Sequence, residues 1–548
     1  MAKVEKIKTD VLIIGAGGAG LRAAIEAHKN KVSVLILTKE EMGGAHTSMA
    51  MGGINVAIKS PATPKLHYED TVNGGWDINN HKMAKIFAYE MPDRIHDLED
   101  YGVKFDRLPD GSYYTWAGGK QTAPLNLSAG DYTGREMMQG LVSEIKKKEI
   151  PYLEDYFVTK IFKKGNVVIG AFAIDLKSKK EVVIEAKSTI IATGGAGMLY
   201  LINTNAKSNT GEGYAWALNL GVQLVDMEMI QFHPTGMGYP PKVKGTLVTE
   251  KVRGHGGILK NRDGERFMIR YQPKRLELAG RDEVTRAIYQ EVLEGRGNEH
   301  GNVYLDIRHW KKGDVERLIP DVFENHMNVG IDIRKEMMEI SPSMHHVMGG
   351  ININEWGKTN IKGLYGVGEV TRNIHGANRL GGNSIAEGQV FGRRVGIQSS
   401  KDAKKAKQLG ISQSLIDAQA EKIESLLKRK SGVNPETLIN KLKKLMWEKV
   451  GIIRNEKYLL KAQEEIEVLK KDSAKVFAKN RRELQECLEL YEMLDTASVI
   501  VASAIVRKES RGAHFRSDFP KTDPKWRKNV MVYKDSRGKL ITKTIPVV

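Results

Sequence analysis

The sequence feature that most constrains the fold is a glycine-rich turn directly after a short apolar run. Residues 9–14 (TDVLII) predict a buried parallel strand, residues 21–27 (LRAAIEA) predict a helix, and residues 32–37 (VSVLIL) predict a second strand. The turn between the first strand and the helix is GAGGAG, residues 15–20. A Gly-x-Gly-x-x-Gly motif in this strand–turn–helix–strand context predicts a Rossmann-like dinucleotide site.

Each glycine of the turn has its own physical task. Gly15 allows the tight turn, Gly17 lets the backbone approach a pyrophosphate, and Gly20 lets helix and strand pack closely. The N-terminus of the helix offers amides and a partial positive charge to phosphates. The predicted cradle comprises Gly15, Ala16, Gly17, Gly18, Ala19 and Gly20, followed by Thr38 and Lys39 after the second strand, with Glu40 as a candidate ribose ligand. A strand–turn–helix without a ligand is the alternative.

Composition narrows the class of protein. The 548 residues carry a net charge of +18, which suits an anionic substrate or an acidic partner. No array of basic and aromatic residues indicates nucleic-acid binding. The single cysteine, Cys487, excludes a disulfide framework and a self-contained cysteine-ligated iron–sulfur cluster, and it fits a reducing cytoplasmic location. We expect no signal peptide and no membrane-spanning segment.

Residues 231–257 concentrate groups that can perform chemistry. His233, Thr249, Glu250, Arg253 and His255 lie here among several glycines. Titratable groups on glycine-rich loops suit a small anionic substrate. A solvated surface loop is the alternative, and we interpret His255 as structural.

Further motifs occur in a fixed order along nearly the whole chain. They are HTSMAMGG at 46–53, ATGG at 192–195, LYGVGE at 364–369, HGANRLGGNS at 375–384 and RKESRGAH at 507–514. Together they resemble the motifs of the flavoprotein subunit of the succinate dehydrogenase/fumarate reductase family, whose nearest alternative relative is L-aspartate oxidase.

The resemblance implies an α/β FAD-binding Rossmann-like domain with an inserted α+β capping domain and a C-terminal helical domain. The predicted boundaries are 1–230 and 343–400 for the two parts of the FAD-binding domain, 231–342 for the capping domain, 401–519 for the helical domain and 520–548 for a short extended tail. Alternation of apolar and charged residues also predicts a β-meander over residues 156–192.

The resemblance also implies FAD as the cofactor and no metal. Beyond the first cradle, the implied contacts are His46, Thr47, Gly52, Gly53, Thr193, Gly194, Asp226, Glu369, Arg379, Asn383 and Ser384. In respiratory members a histidine six residues before a Gly-Gly carries FAD covalently. His46 and Gly52 keep that spacing, so covalent and non-covalent binding remain equal alternatives. Asp226 could equally be a turn carboxylate.

The implied reaction interconverts fumarate and succinate by hydride transfer from or to FAD N5. Arg281, in an Arg-Asp-x-Val motif, would be the proton donor or acceptor, Glu250 would return the proton, and Arg253 would support the relay. His233 counts with these catalytic candidates. The substrate-binding candidates are His233, Thr249, Glu250, His345 and Arg379.

Two positions bear on the direction of the reaction and on the alternative activities. Met51 stands where members with a defined direction usually carry Glu or Gln, so it gives no direction. Ala117 stands where L-aspartate oxidases usually carry an acid, which argues against that activity. With the lack of a membrane segment, Ala117 favours fumarate reduction. A non-catalytic FAD scaffold is a third hypothesis.

The single cysteine implies that electrons come from elsewhere. In the family a separate iron–sulfur subunit usually docks on the flavoprotein, so we expect such a partner, with the basic helical domain as a contact surface. Membrane association would then come through partners.

Overall fold

The computed structural model describes residues 4–178, 180–372 and 374–547. In chain order, the strands of these residues are β1 (Glu5–Ile14), β2 (Val34–Leu37), β3 (Ile54–Asn55), β4 (Thr115–Trp116), β5 (Asn126–Leu127), β6 (Tyr152–Leu153), β7 (Tyr156–Lys164), β8 (Val167–Asp175), β9 (Glu181–Ile191), β10 (Leu224–Val225), β11 (Ile230–Met237), β12 (Ile258–Lys260), β13 (Val303–Asp306), β14 (Met338–Val347), β15 (Gly350–Asn352), β16 (Leu364–Gly366), β17 (Thr371–Arg372), β18 (Lys528–Lys534) and β19 (Leu540–Pro546).

The helices of the same residues are α1 (Gly18–Lys29), α2 (Pro64–Gly74), α3 (His81–Asp100), α4 (Thr133–Lys147), α5 (Glu212–Leu220), α6 (Glu250–Gly254), α7 (Met268–Tyr271), α8 (Arg281–Leu293), α9 (Asp314–Leu318), α10 (Pro320–Met327), α11 (Asn383–Lys405), α12 (Gln413–Lys428), α13 (Pro435–Lys449), α14 (Glu456–Ser473) and α15 (Arg481–Val506). None of them is both long enough and apolar enough to cross a membrane.

The largest sheet is built around the first strand of the chain. Its order is β6-β2-β1-β9-β8-β7, and β16 also pairs with β9. Strand β1 lies parallel to β2 and β9, which places Ile14 beside Leu37 and Ile191. Helices α1 and α11 pack together beside this sheet. The predicted meander over 156–192 is confirmed, because β7, β8 and β9 pair antiparallel in sequence order.

The segment from residue 230 to residue 347 has a sheet and a core of its own. Its sheet runs β11-β14-β13-β12, and helix α8 packs against β11. Its buried cluster of apolar side chains is separate from the main core. Met51, from the FAD-binding part of the chain, packs into this second core, so an apolar contact joins the two parts.

Helices α12 to α15 follow, and the end of the chain then returns to the sheet region. Strands β18 and β19 form an antiparallel hairpin, and β18 pairs with β10 in a sheet of order β17-β15-β10-β18-β19. The final segment is extended, as predicted, but it is a sheet component rather than a tail. Pairing with β10 satisfies the backbone of the buried residue Val532, and the N–H of the buried Val530 donates to Oδ1 of Asp226 (2.9 Å).

Candidate functional site

The glycine turn leaves space only on the side that faces a cavity. Gly15 has φ +112°, and a Cβ there would lie 2.3 Å from the carbonyl oxygen of Ala192. A Cβ on Gly20 would lie 2.2 Å from the carbonyl oxygen of Gly15, so close packing of helix and strand requires both glycines. At Gly17 the nearest atom would be Oγ1 of Thr47, at 3.5 Å. The residue before α1 contributes no side-chain cap, and the hydroxyl of Thr47 accepts from the N–H of Gly18 at the start of the helix (3.2 Å).

A single cavity runs from this turn to the charged stretch around Glu250. It encloses about 1660 Å³ of space, part of it open to solvent. The predicted cofactor residues that line it are Gly15, Ala16, Gly17, Gly18, Ala19, Thr38, Lys39, His46, Thr47, Gly52, Gly53, Thr193, Gly194, Glu369, Arg379 and Ser384. The predicted substrate-binding residues His233, Thr249, Glu250 and His345 line it as well, as does Arg281, the predicted proton donor.

Two predicted cofactor residues lie away from the cavity in other polar networks. Asp226 is buried and accepts hydrogen bonds from Asn529 (2.6 Å) and Arg507 (3.3 Å), so its carboxylate holds the C-terminal hairpin. Asn383 accepts from Asn55 (2.7 Å) and donates to Thr71 (3.1 Å). Buried polar atoms must find hydrogen-bond partners, and both side chains find theirs on distant segments; their contact with FAD stays a prediction.

Gly20 and Arg253 support the cavity from outside its lining. Gly20 lies where α1 packs on β1. Arg253 is buried behind Glu250, with 3.5 Å between Nη2 and the carboxylate, and its Nη1 donates to the carbonyl oxygen of Glu277 (2.6 Å). Arg253 therefore acts on the cavity through Glu250.

Lys39 ties one end of the cavity to the helical domain. Its Nζ contacts Glu212, Thr210 (2.8 Å) and Glu489 of α15 (3.0 Å). Burial alone would lower the pKa of Lys39, but the charges of Glu212 and Glu489 outweigh it and raise that pKa. Glu40, the candidate ribose ligand, lines the cavity beside Lys39.

At the other end of the cavity an arginine and a carboxylate form a buried pair. Nε of Arg281 donates to Oε2 of Glu250 at 2.7 Å, and the N–H of Gly119 donates to Oε1 at 2.7 Å. Burial alone would raise the pKa of Glu250, but Arg281, Arg253 and the Gly119 N–H together hold that pKa below its ordinary value. Glu250 is therefore ionised at neutral pH.

Histidines and a second arginine face this pair. The ring centroids of His233 and His345 are 5.0 Å apart, and Nδ1 of His345 shares a hydrogen bond of 2.7 Å with Thr204. Burial, and then the arginine charges, hold the pKa of both histidines well below the ordinary value. Burial and the charge of Arg281 likewise lower the pKa of Arg379. A dianion placed among these groups would relieve that repulsion.

Sequence reasoning missed the glutamine that joins the two arginines. Gln231 accepts from Nη1 of Arg281 (3.1 Å) and donates to Oδ1 of Asn378 (2.9 Å) and to the carbonyl oxygen of Arg379 (2.8 Å). It is fully buried on β11. An amide side chain in a buried strand needs hydrogen-bond partners, and this need was the signal that could have identified Gln231.

His46 lies in the same cavity, at the start of a 3₁₀ turn over His46–Met49. Its Nδ1 accepts a hydrogen bond from the backbone N–H of Ala206 (3.3 Å), and Nε2 is the ring nitrogen that takes no part in this bond. The rings of His46 and His345 are 6.4 Å apart. Burial, the largest cause, lowers the pKa of His46.

Buried polar atoms along the cavity fit a bound dinucleotide. Oγ1 of Thr193 and Nε of Arg379 are buried and have no hydrogen-bond partner among the described residues. Together with the N-terminus of α1 and the open space at Gly17, they place donors beside room for a phosphate. The described residues hold no cluster of three or more metal-ligating side chains. This arrangement defines a dinucleotide-binding protein whose cofactor cavity continues into a charged pocket for a small anion.

Comparison with known proteins narrows that class. Residues 10–385 match the FAD binding domain family, and residues 439–548 match the fumarate reductase flavoprotein C-terminal family. The chain is 42% identical to a fumarate reductase (CoM/CoB) subunit of Methanothermobacter marburgensis, over 96% of this chain and 97% of that protein. It is 32% identical to the succinate dehydrogenase flavoprotein subunit of Rickettsia bellii, over 98% of this chain and 95% of that one.

A solved structure agrees with these similarities. A variant of FrdA from Escherichia coli quinol fumarate reductase superposes with a TM-score of 0.93 at 32% identity, covering 99% of this chain and 97% of that chain. The chain belongs to the family of fumarate reductase and succinate dehydrogenase flavoprotein subunits, and its cofactor is FAD.

Proposed function

We propose that this chain is the catalytic flavoprotein subunit of a fumarate reductase, and that Arg281 is its proton donor. The observation that carries the proposal is the buried Arg281–Glu250 pair, 2.7 Å apart, in one cavity with the glycine cradle and Arg379. When bound, FAD supplies the hydride for reduction or accepts it for oxidation.

The substrate end of the cavity suits a dicarboxylate. Arg379 can hold one carboxylate through two N–H donors, and its buried Nε lacks another partner among the described residues. His233, His345 and the Thr249 hydroxyl can bind the remaining oxygens. Fixed donors around a carboxylate also stabilise the charge that develops on it as the adjacent carbon becomes carbanion-like.

Arg281 delivers the proton to that carbon. Its Nε and Nη1 are engaged by Glu250 and Gln231, so we assign the transferred proton to Nη2. The Nη2–H bond breaks as the new C–H bond forms, and a proton passed through Glu250 restores Arg281. Because a guanidinium group is a very weak acid, only a strongly basic carbon can take this proton.

Electrons must reach FAD from a donor outside this chain. Cys487 is the sole cysteine and is buried in α15, so the chain offers no cysteine set for a cluster. We propose that the donor is a separate iron–sulfur subunit. The fumarate-reducing direction is supported by the 42% identity to a protein named fumarate reductase, and by Ala117, which leaves no acid for an amino group.

An anaerobic assay with reduced viologen and fumarate tests the proposal. We expect fumarate-dependent dye oxidation that falls at least about a thousandfold in Arg281→Lys, since a lysine cannot keep both the Glu250 and Gln231 contacts. Arg262→Lys is the control, because Arg262 is 56% exposed. Inactive wild-type protein with bound FAD, or full activity in Arg281→Lys, would refute the assignment.

The same preparation distinguishes the two modes of FAD attachment. Flavin that stays with the denatured polypeptide, and is released in His46→Ser, assigns a covalent bond to His46. Flavin that separates from denatured wild-type protein assigns non-covalent binding.

A further inference from the structure

Gln121 lies beneath the loop that contacts Glu250, and the proposed chemistry does not use it. Its side chain is buried, with 8% exposed. Oε1 accepts from the N–H of Gly118 (2.6 Å) and from Nδ2 of Asn126 (2.9 Å), while Nε2 donates to Oδ1 of Asn55 (3.0 Å). One amide therefore fixes the turn and joins it to β3 and β5.

The turn above Gln121 supplies the backbone donor for Glu250. The N–H of Gly119 donates to Oε1 of Glu250 at 2.7 Å. Cβ atoms built on Gly118 and Gly119 would lie 3.0 and 3.2 Å from the same oxygen, so only glycines allow this close approach. The direction of the Gly119 N–H depends on the shape of the turn, which the Gln121–Gly118 bond holds.

The same network reaches the loop that follows Arg379. Nδ2 of Asn55 donates to the carbonyl oxygen of Gly381 (2.6 Å), and the N–H of Asn55 donates to that of Gly382 (3.2 Å). A Cβ on Gly381 would lie 2.8 Å from Nη2 of Arg281. Gln121 thus links the segment that holds Glu250 with the segment that faces Arg281.

We propose that Gln121 is a positioning residue for the proton relay, which fixes the Gly119 N–H, and through it Glu250, against Arg281. The inference rests on the proposed function. A hydrogen bond to an ionised carboxylate favours the ionised form, so loss of this contact raises the pKa of Glu250.

Gln121→Met tests the role, because it keeps the volume and removes both polar atoms. We expect kcat per bound FAD to fall roughly tenfold and KM to change less than about twofold, as for an interaction that acts in the transition state. A limb of the kcat–pH profile that is absent in Glu250→Gln reports the ionisation of Glu250. In Gln121→Met this limb should move to higher pH. Without substrate, the amides of residues 116–122 should exchange hydrogen faster.

Gln419→Met is the matched control. Gln419 is also 8% exposed and donates one hydrogen bond, to Thr159 (2.9 Å), far along the chain in α12. The Gln419→Met substitution should lower the stability of the protein without moving the pH limb. An unmoved limb with unchanged exchange in Gln121→Met overturns the proposal.

A second variant keeps the positioning role testable. If Gln121→Met does not accumulate with FAD, Gln121→Asn is measured by the same criteria, because its side chain is too short to reach all three partners. Full fumarate turnover in Arg281→Lys would refute the proton relay itself. If turnover depends on Arg281 but the pH limb does not move in Gln121→Met, only the positioning role of Gln121 is refuted.

Discussion

Glu250 is a buried carboxylate between two guanidinium groups, and its charge is the condition for the whole relay. Arg281 is 2.7 Å away and Arg253 is 3.5 Å away. Removing one member of a buried ion network leaves the other charges buried without a counter-charge. This loss costs far more stability than the intact network adds relative to apolar packing. The arrangement is therefore expected to be sensitive to any change that neutralises Glu250.

Glu250→Gln should show this sensitivity as a pH-dependent loss of stability. Because its folded pKa is lowered, Glu250 contributes its full stabilisation above its ordinary pKa of 4.5 and loses it as pH falls below that value. At pH 7 the variant should be less stable by about 3 kcal/mol. We expect the gap between the urea midpoints of wild type and variant to narrow from pH 7 to pH 4; a gap that stays constant would contradict the lowered pKa.

At the scale of elements, the β1–α1 unit separates two uses of glycine. Gly20 is required by packing, because a Cβ would meet the carbonyl oxygen of Gly15 at 2.2 Å. Gly17 is free of such contacts and faces the cavity. Gly20 is therefore needed for the packing of α1 on β1, and Gly17 is needed for the approach of the ligand.

Gly17→Ala and Gly20→Ala should therefore fail in different ways. We expect Gly17→Ala to keep the thermal stability of the FAD-free protein while weakening FAD binding about tenfold or more, since the methyl group fills the phosphate approach. Gly20→Ala should lower that stability itself by 1–3 kcal/mol, about the usual cost of overpacking. Thermal melts of FAD-free protein and FAD titrations make the comparison. Equal loss of stability in both variants would show that Gly17 is structural.

For the whole molecule, a buried charge network joins the helical domain, the FAD-binding domain and the C-terminal hairpin. Arg507, just after α15, contacts Glu228 (2.6 Å), Asp226 (3.3 Å) and Glu509 (3.0 Å), and the Arg507 side chain is fully buried. Asp226 in turn accepts from Asn529 of β18. Segments far apart in sequence therefore depend on one guanidinium group.

Arg507→Met should destabilise the protein by at least about 3 kcal/mol, because Glu228 would remain buried without its cation. Asp226 and Glu509 would keep only their second cationic partners, Arg372 and Arg511. Arg537→Met, at a side chain that is 84% exposed, should change stability by less than about 0.5 kcal/mol. Urea unfolding of the two variants tests this. A mild effect at Arg507 would mean that the network is hydrated or protonated in solution.

Local sequence determined the elements whose signals are local. The run TDVLII, the GAGGAG turn and the next apolar run predict β1, α1 and β2, because glycine conformation, strand period and helix propensity act over a few residues. The motifs around His233, Glu250, Arg281 and Arg379 also indicated the groups that line the cavity.

Only the tertiary structure decided which polar groups meet. It turned Asp226 toward Arg507 and placed Arg253 behind Glu250. It also paired β18 with β10, and made Gln231 and Gln121 partners of the site. The physical reason is that a buried donor or acceptor takes whichever partner the packed segments bring within about 3 Å, and sequence spacing does not encode that distance.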